Sequence, residues 1–162
     1  AHPQLLSKLG GHAMAAGMSI ELQHYEAFAA AFDQVVRQQL SEDDLQAVVH
    51  SDGELTAAEL NLQFAEMLRN AGPWGQHFPE PVFDGVFNLL QQRIVGEKHL
   101  KMLLSSDDNP QQVIDAIAFN INNKQWPDNS VKKVRVVYKL DVNEFRGQQT
   151  VQLLVDELEP IL

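Results

Sequence analysis

Apolar positions along this chain follow two rhythms, helical spacing in the first half and strict alternation in the second. Leu5, Leu6 and Leu9 form one stripe behind Pro3, which suits the first turn of a helix, and the stripe stops at Gly10-Gly11. Met18, Ile20 and Leu22 alternate with Ser19, Glu21 and Gln23, the pattern of a short half-buried strand. From His24 the apolar residues fall at Phe28, Phe32, Val35, Val36 and Leu40, one face of a helix of about four turns. Ser41 to Asp44 reads as an acidic solvated loop, Leu45 to Val49 as a strand, and Asp52-Gly53 as the turn after it. Asn61 is placed to cap a helix carrying Leu60, Phe64, Met67, Leu68 and Ala71, which Gly72 and Pro73 stop. Thr56 with Glu59 offers a competing capping box one turn earlier.

Gly72 to Pro81 holds three prolines and two aromatics in ten residues, so it reads as stiff and extended, with Trp74 and Phe78 packing between domains. Alternation then takes over. Phe83 to Val95 is a long β-rich run followed by Gly96, and His99 to Ser105 a second. Val113, Ile114, Ile117 and Phe119 mark a third, and Ile121 to Trp126 reads as a short helix or irregular loop. Lys132 to Phe145 and Gln148 to Leu158 flank Arg146-Gly147, a hairpin turn. Five strands with a short element between the third and fourth is the order of an OB-fold, which the pattern alone leaves as one small-barrel option among several.

One stretch adds chemistry to this outline. In Gly10-Gly11-His12-Ala13-Met14-Ala15-Ala16-Gly17 the paired glycines allow close approach of backbone amides to an anion. A short helical turn over His12 to Ala16 would aim its first N–H groups the same way, and His12 adds a donor that titrates near neutral pH. Gly17 would end that turn in the left-handed conformation. A tight alanine-packed corner accounts for the same composition. The string resembles the GGHxxAAG signature of the DHH-associated domain in the DHH phosphoesterase superfamily. The run Leu9 to Ile20, the Gly-Pro-Trp-Gly connector and the five strands together are similar to the C-terminal part of the RecJ group of single-strand-specific DNA exonucleases. Where many relatives have glycine and asparagine, this chain has His77 and Phe78, so no ligand contact is carried onto those two positions.

The resemblance implies an α+β chain: a truncated α/β DHH-associated subdomain followed by a five-stranded OB-fold β-barrel. It divides the chain into residues 1–71, a connector at 72–81 and a nucleic-acid-binding barrel at 82–162. It further implies that Gly10, Gly11 and His12 hold a substrate phosphate, that single-stranded DNA is the partner, and that repair proteins such as a single-strand-binding protein or a helicase are candidate partners. Catalysis, with Mn²⁺ or Mg²⁺, would belong to a preceding DHH domain, and this stretch would bind no cofactor itself.

Charge sharpens the picture. The net charge of −10 argues against phosphate binding, but its distribution is uneven: residues 1–82 carry three basic and 11 acidic side chains, residues 83–162 nine and 11. The candidates for following a strand are Lys98, His99 and Lys101 on the second barrel strand, Lys133, Arg135 and Lys139 on one face of the fourth, Arg146 at the hairpin, and Trp126 overhanging the groove. Alternation puts Val134, Val136, Tyr138 and Leu140 in the core. No HExxH, Cys/His cluster or Asp-His-His triplet occurs, and the absence of cysteine with no long apolar run fits a cytoplasmic protein. A start at Ala1-His2-Pro3 inside an expected helix reads as an excised fragment, whose cut sheet edge invites self-association. Two rivals stand beside the exonuclease reading: a DHH-type phosphatase or nanoRNase, and a barrel that binds another protein.

Overall fold

A computed structural model of the chain describes residues 3–12, 15–41, 43–45, 48–122 and 124–161. It divides into two compact units, residues 1–49 and 50–162. The expected boundary at residue 71 and the connector at 72–81 both fall within the second.

In the first unit, strands β1 (Lys8–His12) and β2 (Ala15–Ser19) pair antiparallel, with Gly10 opposite Gly17 and Gly11 opposite Ala16. This replaces the expected glycine corner: Leu9 lies in a strand, not a helix, and Ala15 and Ala16 in its partner, not a helical turn. Ala13 and Met14 lie outside the described residues. The glycines serve close packing of two thin strands. A Cβ on Gly11 would stand 2.8 Å from the Ala15 carbonyl oxygen and the Ala16 Cα, whereas one on Gly10 or Gly17 would meet nothing within 4 Å. Gly17 adopts no left-handed conformation, contrary to expectation. The strand expected at Met18–Leu22 begins three residues earlier and stops at Ser19, and Leu22–His24 forms a 3₁₀ turn. Helix α1 (Tyr25–Gln39) then follows as the spacing predicts. Phe28 and Phe32 stack on it with ring centroids 5.7 Å apart, and none of its residues is buried. In the expected strand at residues 45–49, Leu45 belongs instead to a 3₁₀ turn; Gln46 and Ala47 lie outside the described residues.

The second unit opens with two capping motifs in series, of which only the one at Asn61 starts a helix. The Glu59 carboxylate accepts from the Thr56 hydroxyl at 2.7 Å and its amide at 2.8 Å, shaping a turn. Asn61 then caps helix α2 (Leu62–Ala71), its side chain accepting from the Phe64 amide at 2.9 Å. The Gly-Pro segment after it is not extended throughout: Gly75 and Phe78 exchange backbone hydrogen bonds of 2.8 and 3.0 Å, folding the Trp74 and Phe78 rings together, tilted by 33° with centroids 4.8 Å apart. These aromatics pack on each other inside the unit.

Five strands follow: β3 (Phe83–Val95), β4 (His99–Ser105), β5 (Ile114–Ala118), β6 (Lys133–Phe145) and β7 (Gln148–Ile161). They close into a barrel in the order β3-β4-β5-β7-β6, in which only the β5–β7 pairing is parallel among the five pairs. This is OB-fold topology. Alternation explains it: Phe83 and Phe87 on β3, Leu100, Met102 and Leu104 on β4, and Val134, Val136, Tyr138, Leu140 and Val142 on β6 point inward and are buried. Leu60 and Ala65, both fully buried, join this core from outside the barrel strands, which is why residues 50–71 belong with it. Two adaptations bend the ring. Leu90 is the extra residue of a bulge against β4, and the β6–β7 ladder shifts register opposite Val137 and Tyr138. At the β6–β7 tip Arg146 and Gly147 both have positive φ, 53° and 77°, the conformation a two-residue hairpin of this twist requires.

Candidate nucleic-acid interface

Cross-strand register assembles a groove on the outer face of β4 and β5. Arg93, near the end of β3, sits opposite Lys101, and Lys101 sits opposite Ile117 on β5. Residues of three neighbouring strands thus share one surface with the projecting end of the β6–β7 hairpin, where Asn143, Phe145, Gln148 and Thr150 form the far wall. The groove has a volume of about 590 Å³. Two of its side chains are large exposed aromatics, Phe119 at 55% and Phe145 at 64% of full exposure. In water such rings are costly unless something covers them, and bases do so face to face.

A guanidinium flanks one aromatic and an imidazole the other. The Arg146 guanidinium lies 5.1 Å from the centroid of the Phe145 ring. His99 meets Phe119 edge to face at 4.9 Å. Lys101 lines the groove, but its ammonium is held 2.9 Å from the Asp115 carboxylate. Lys98, exposed in the β3–β4 turn, and Arg93, exposed on β3, have no ion pair among the described residues. The loops that border the groove, β3–β4 and β6–β7, are the ones that OB-folds use to clamp oligonucleotides.

The residues singled out from sequence therefore separate. Lys101 lines the groove, and His99 and Arg146 reach it through Phe119 and Phe145, whereas Lys98 is placed only in the adjoining β3–β4 turn, its carbonyl accepting from the Ile121 amide. Trp126 does not overhang it: the indole is 7% exposed and belongs to the core, because the β5–β6 connection turns inward there. Lys133, Arg135 and Lys139 do share the outward face of β6 with Phe145. At about 3.3 Å per residue, however, Lys133 lies some 40 Å of strand away from that ring. Nor is this end of β6 strongly positive. The Lys133 ammonium is 2.6 Å from Asp107, Lys139 is 3.6 Å from Glu80, and Arg135 stands opposite Glu159 in the ladder. Hydrogen bonds from Lys133 and Asn88 hold the Asp107 carboxyl below the usual carboxylate range.

Gly10, Gly11 and His12 lie together in β1, exposed. In a two-stranded ladder successive amides point alternately toward the partner strand and away from it. Only one of the two glycine amides can therefore face outward, and the helix end that was to reinforce them is a strand. Among the described residues no group of three or more His, Asp or Glu side chains is arranged to hold a metal ion.

Arg93, Phe119 and Phe145 are the groove residues that sequence reasoning passed over. The flanks of the Arg146-Gly147 hairpin signal would have pointed to Phe145. Arg93 and Phe119 become neighbours of the site only through register.

Comparison with known proteins places the chain in a family. The chain is 53% identical over 161 residues to the single-stranded-DNA-specific exonuclease RecJ of Dickeya dadantii, covering 99% of this chain and 28% of that protein. It is 52% identical to the RecJ of Haemophilus influenzae and 48% identical to that of Escherichia coli, with the same shares covered. The chain thus spans little more than a quarter of the length of these relatives. The crystal structure of RecJ from Thermus thermophilus in complex with Mg²⁺ superposes with a TM-score of 0.68 at 22% identity, over 99% of this chain and 24% of that one. Residues 51–157, nearly the whole second unit, match the RecJ OB domain, and the chain belongs to that family.

Proposed function

We propose that the second unit grips single-stranded DNA in the groove between β4–β5 and the β6–β7 hairpin, as the substrate-guiding part of a longer RecJ-type 5′→3′ exonuclease acting in recombination and repair. The observation that carries this reading is the pair of exposed rings, Phe119 and Phe145, each touched by a basic or imidazole side chain within one groove. Stacking supplies affinity without regard to sequence, and Arg93, Lys98 and Arg146 supply attraction to the backbone. Hydrolysis and its Mn²⁺ or Mg²⁺ ions belong, in this reading, to residues of the relatives' remaining length. The site of action would be the cytoplasm, which is compatible with the lack of any described helix long and apolar enough to cross a membrane.

Anisotropy titration of a labelled oligothymidylate at low salt tests the reading. Saturable binding that weakens steeply as salt rises is expected, and no binding at low salt would end it. Binding that salt leaves unchanged would instead favour an apolar protein partner.

The β1–β2 hairpin is proposed as a second phosphate contact through Gly10, Gly11 and His12. Gly10→Ala isolates the functional demand, because a methyl group there meets nothing within 4 Å. In a full-length relative with this hairpin, loss of nuclease activity on Gly10→Ala with unchanged melting temperature is expected. Full activity would remove the hairpin from the site.

A further inference from the structure

We infer that His99 is a positioning residue that sets the angle at which the Phe119 ring meets a base, an inference that rests on the single-strand reading above. Phe119 lies one residue beyond the end of β5, so no rung of the ladder holds it. The chain then turns through Asn120, whose φ of 55° is rare for a residue with a side chain. Two hydrogen bonds fix this corner, and both run to the start of β4. The Ile121 amide donates to the Lys98 carbonyl at 3.0 Å, and the Asn120 amide donates to His99 Nδ1 at 3.2 Å.

The same imidazole presents its ring to Phe119 at an interplanar angle of 72°, edge to face. On its other side lies the β3–β4 turn, where a Cβ on Gly96 would come into ordinary van der Waals contact with His99 Cδ2 at 3.4 Å. His99 thus supports the platform residue in two ways, bonding the backbone beside the ring and packing on the ring itself. To accept from Asn120, Nδ1 carries no proton, which places the proton of the neutral ring on Nε2. Remove the imidazole and Phe119 stays in the groove but loses both its lateral support and one of the two bonds that set its backbone.

The test compares an oligothymidylate with its abasic counterpart of equal length, which keeps the phosphates and lacks the bases. Phe119→Ala in the 162-residue chain is expected to lower affinity for the base-bearing strand on the order of ten-fold and to leave the abasic strand unaffected. His99→Ala is expected to lower the ratio of the two affinities roughly five-fold, and His99→Asn, which keeps an acceptor for Asn120, to restore part of it. A general folding defect would weaken both strands together and leave the ratio alone. An unchanged ratio in both His99 variants, where Phe119→Ala collapses it, overturns the inference while sparing the single-strand reading. Equal affinity of the wild-type chain for the two strands, or no binding to either, removes the stacking reading and the inference with it. A long-range ¹H–¹⁵N spectrum of the wild-type chain at neutral pH showing the proton on Nδ1 overturns the inference without any variant.

Discussion

The two clusters of basic residues on the barrel predict different salt dependences. For single strands the slope of log affinity against log salt is about −0.7 per phosphate neutralised. Arg93 lines the groove, Arg146 packs on its Phe145 and Lys98 sits in the β3–β4 turn beside it, and none has an ion pair among the described residues, so replacing all three with alanine should flatten the slope by about 2. Over a four-fold change in salt this difference amounts to about 15-fold in affinity. The alanine triple at Lys133, Arg135 and Lys139 should flatten the slope by less than about 0.7, because Asp107 and Glu80 already neutralise the two lysines and Glu159 faces the arginine. Anisotropy titrations at several salt concentrations measure both triples against the parent chain. A β6 triple that flattens the slope as much as the groove triple would refute the argument, placing the backbone track along β6.

Three further outcomes concern stability. Leu60→Ala should destabilise the barrel by about 2–5 kcal/mol, because Leu60 is fully buried among barrel side chains; both tryptophans lie in this unit, so their fluorescence reports its unfolding in urea, and a loss under about 1 kcal/mol would separate residues 50–71 from the barrel. The Tyr138 hydroxyl is buried without a hydrogen-bond partner among the described residues, and burial, with Glu54 and Asp84 nearby, pushes its pKa up. Its neutral form is therefore favoured in the fold, a contribution complete below about pH 10 and lost as pH rises beyond it. Tyr138→Phe should raise stability by about 1 kcal/mol at neutral pH and extend the folded range to higher pH, and a destabilised variant would show that the hydroxyl is satisfied in solution. Asp107, held below the usual range by Lys133 and Asn88, contributes above a pH of about 4 and progressively less below it; Asp107→Asn should remove that part of the acid sensitivity in a pH series of melts, and an unaltered profile would dismiss the bridge.

Where side-chain burial alternates, the sequence was legible almost to the residue. β4 runs from His99 to Ser105 as its alternation predicts, and the core set on β6 is the expected one because a closed ring with one wet face leaves no other phase for Val134, Val136 and Tyr138. The β1–β2 hairpin was not legible. Glycine and alanine carry little burial signal, and all its described side chains are exposed, so pattern had nothing to read. Charge misled for a different reason: Lys133 meets Asp107 across 26 residues of sequence, a pairing that only the β4–β5 loop's position reveals. Trp126 was misplaced because an isolated aromatic in a loop has no periodicity to show whether it faces in or out.

The last strand closes the ring, and this orders the birth of the barrel during synthesis. Until about residue 155 has left the ribosome, Asp115 to Ala118 have no partner on one side, so a nascent chain displays an open β-edge for the time needed to translate some 40 residues. The Arg146-Gly147 turn shortens that exposure, since it is preset to bring β7 back along β6 as soon as it emerges. A residue that forbids positive φ at Gly147 would therefore be felt in soluble yield on expression before it is felt in the affinity of the finished domain.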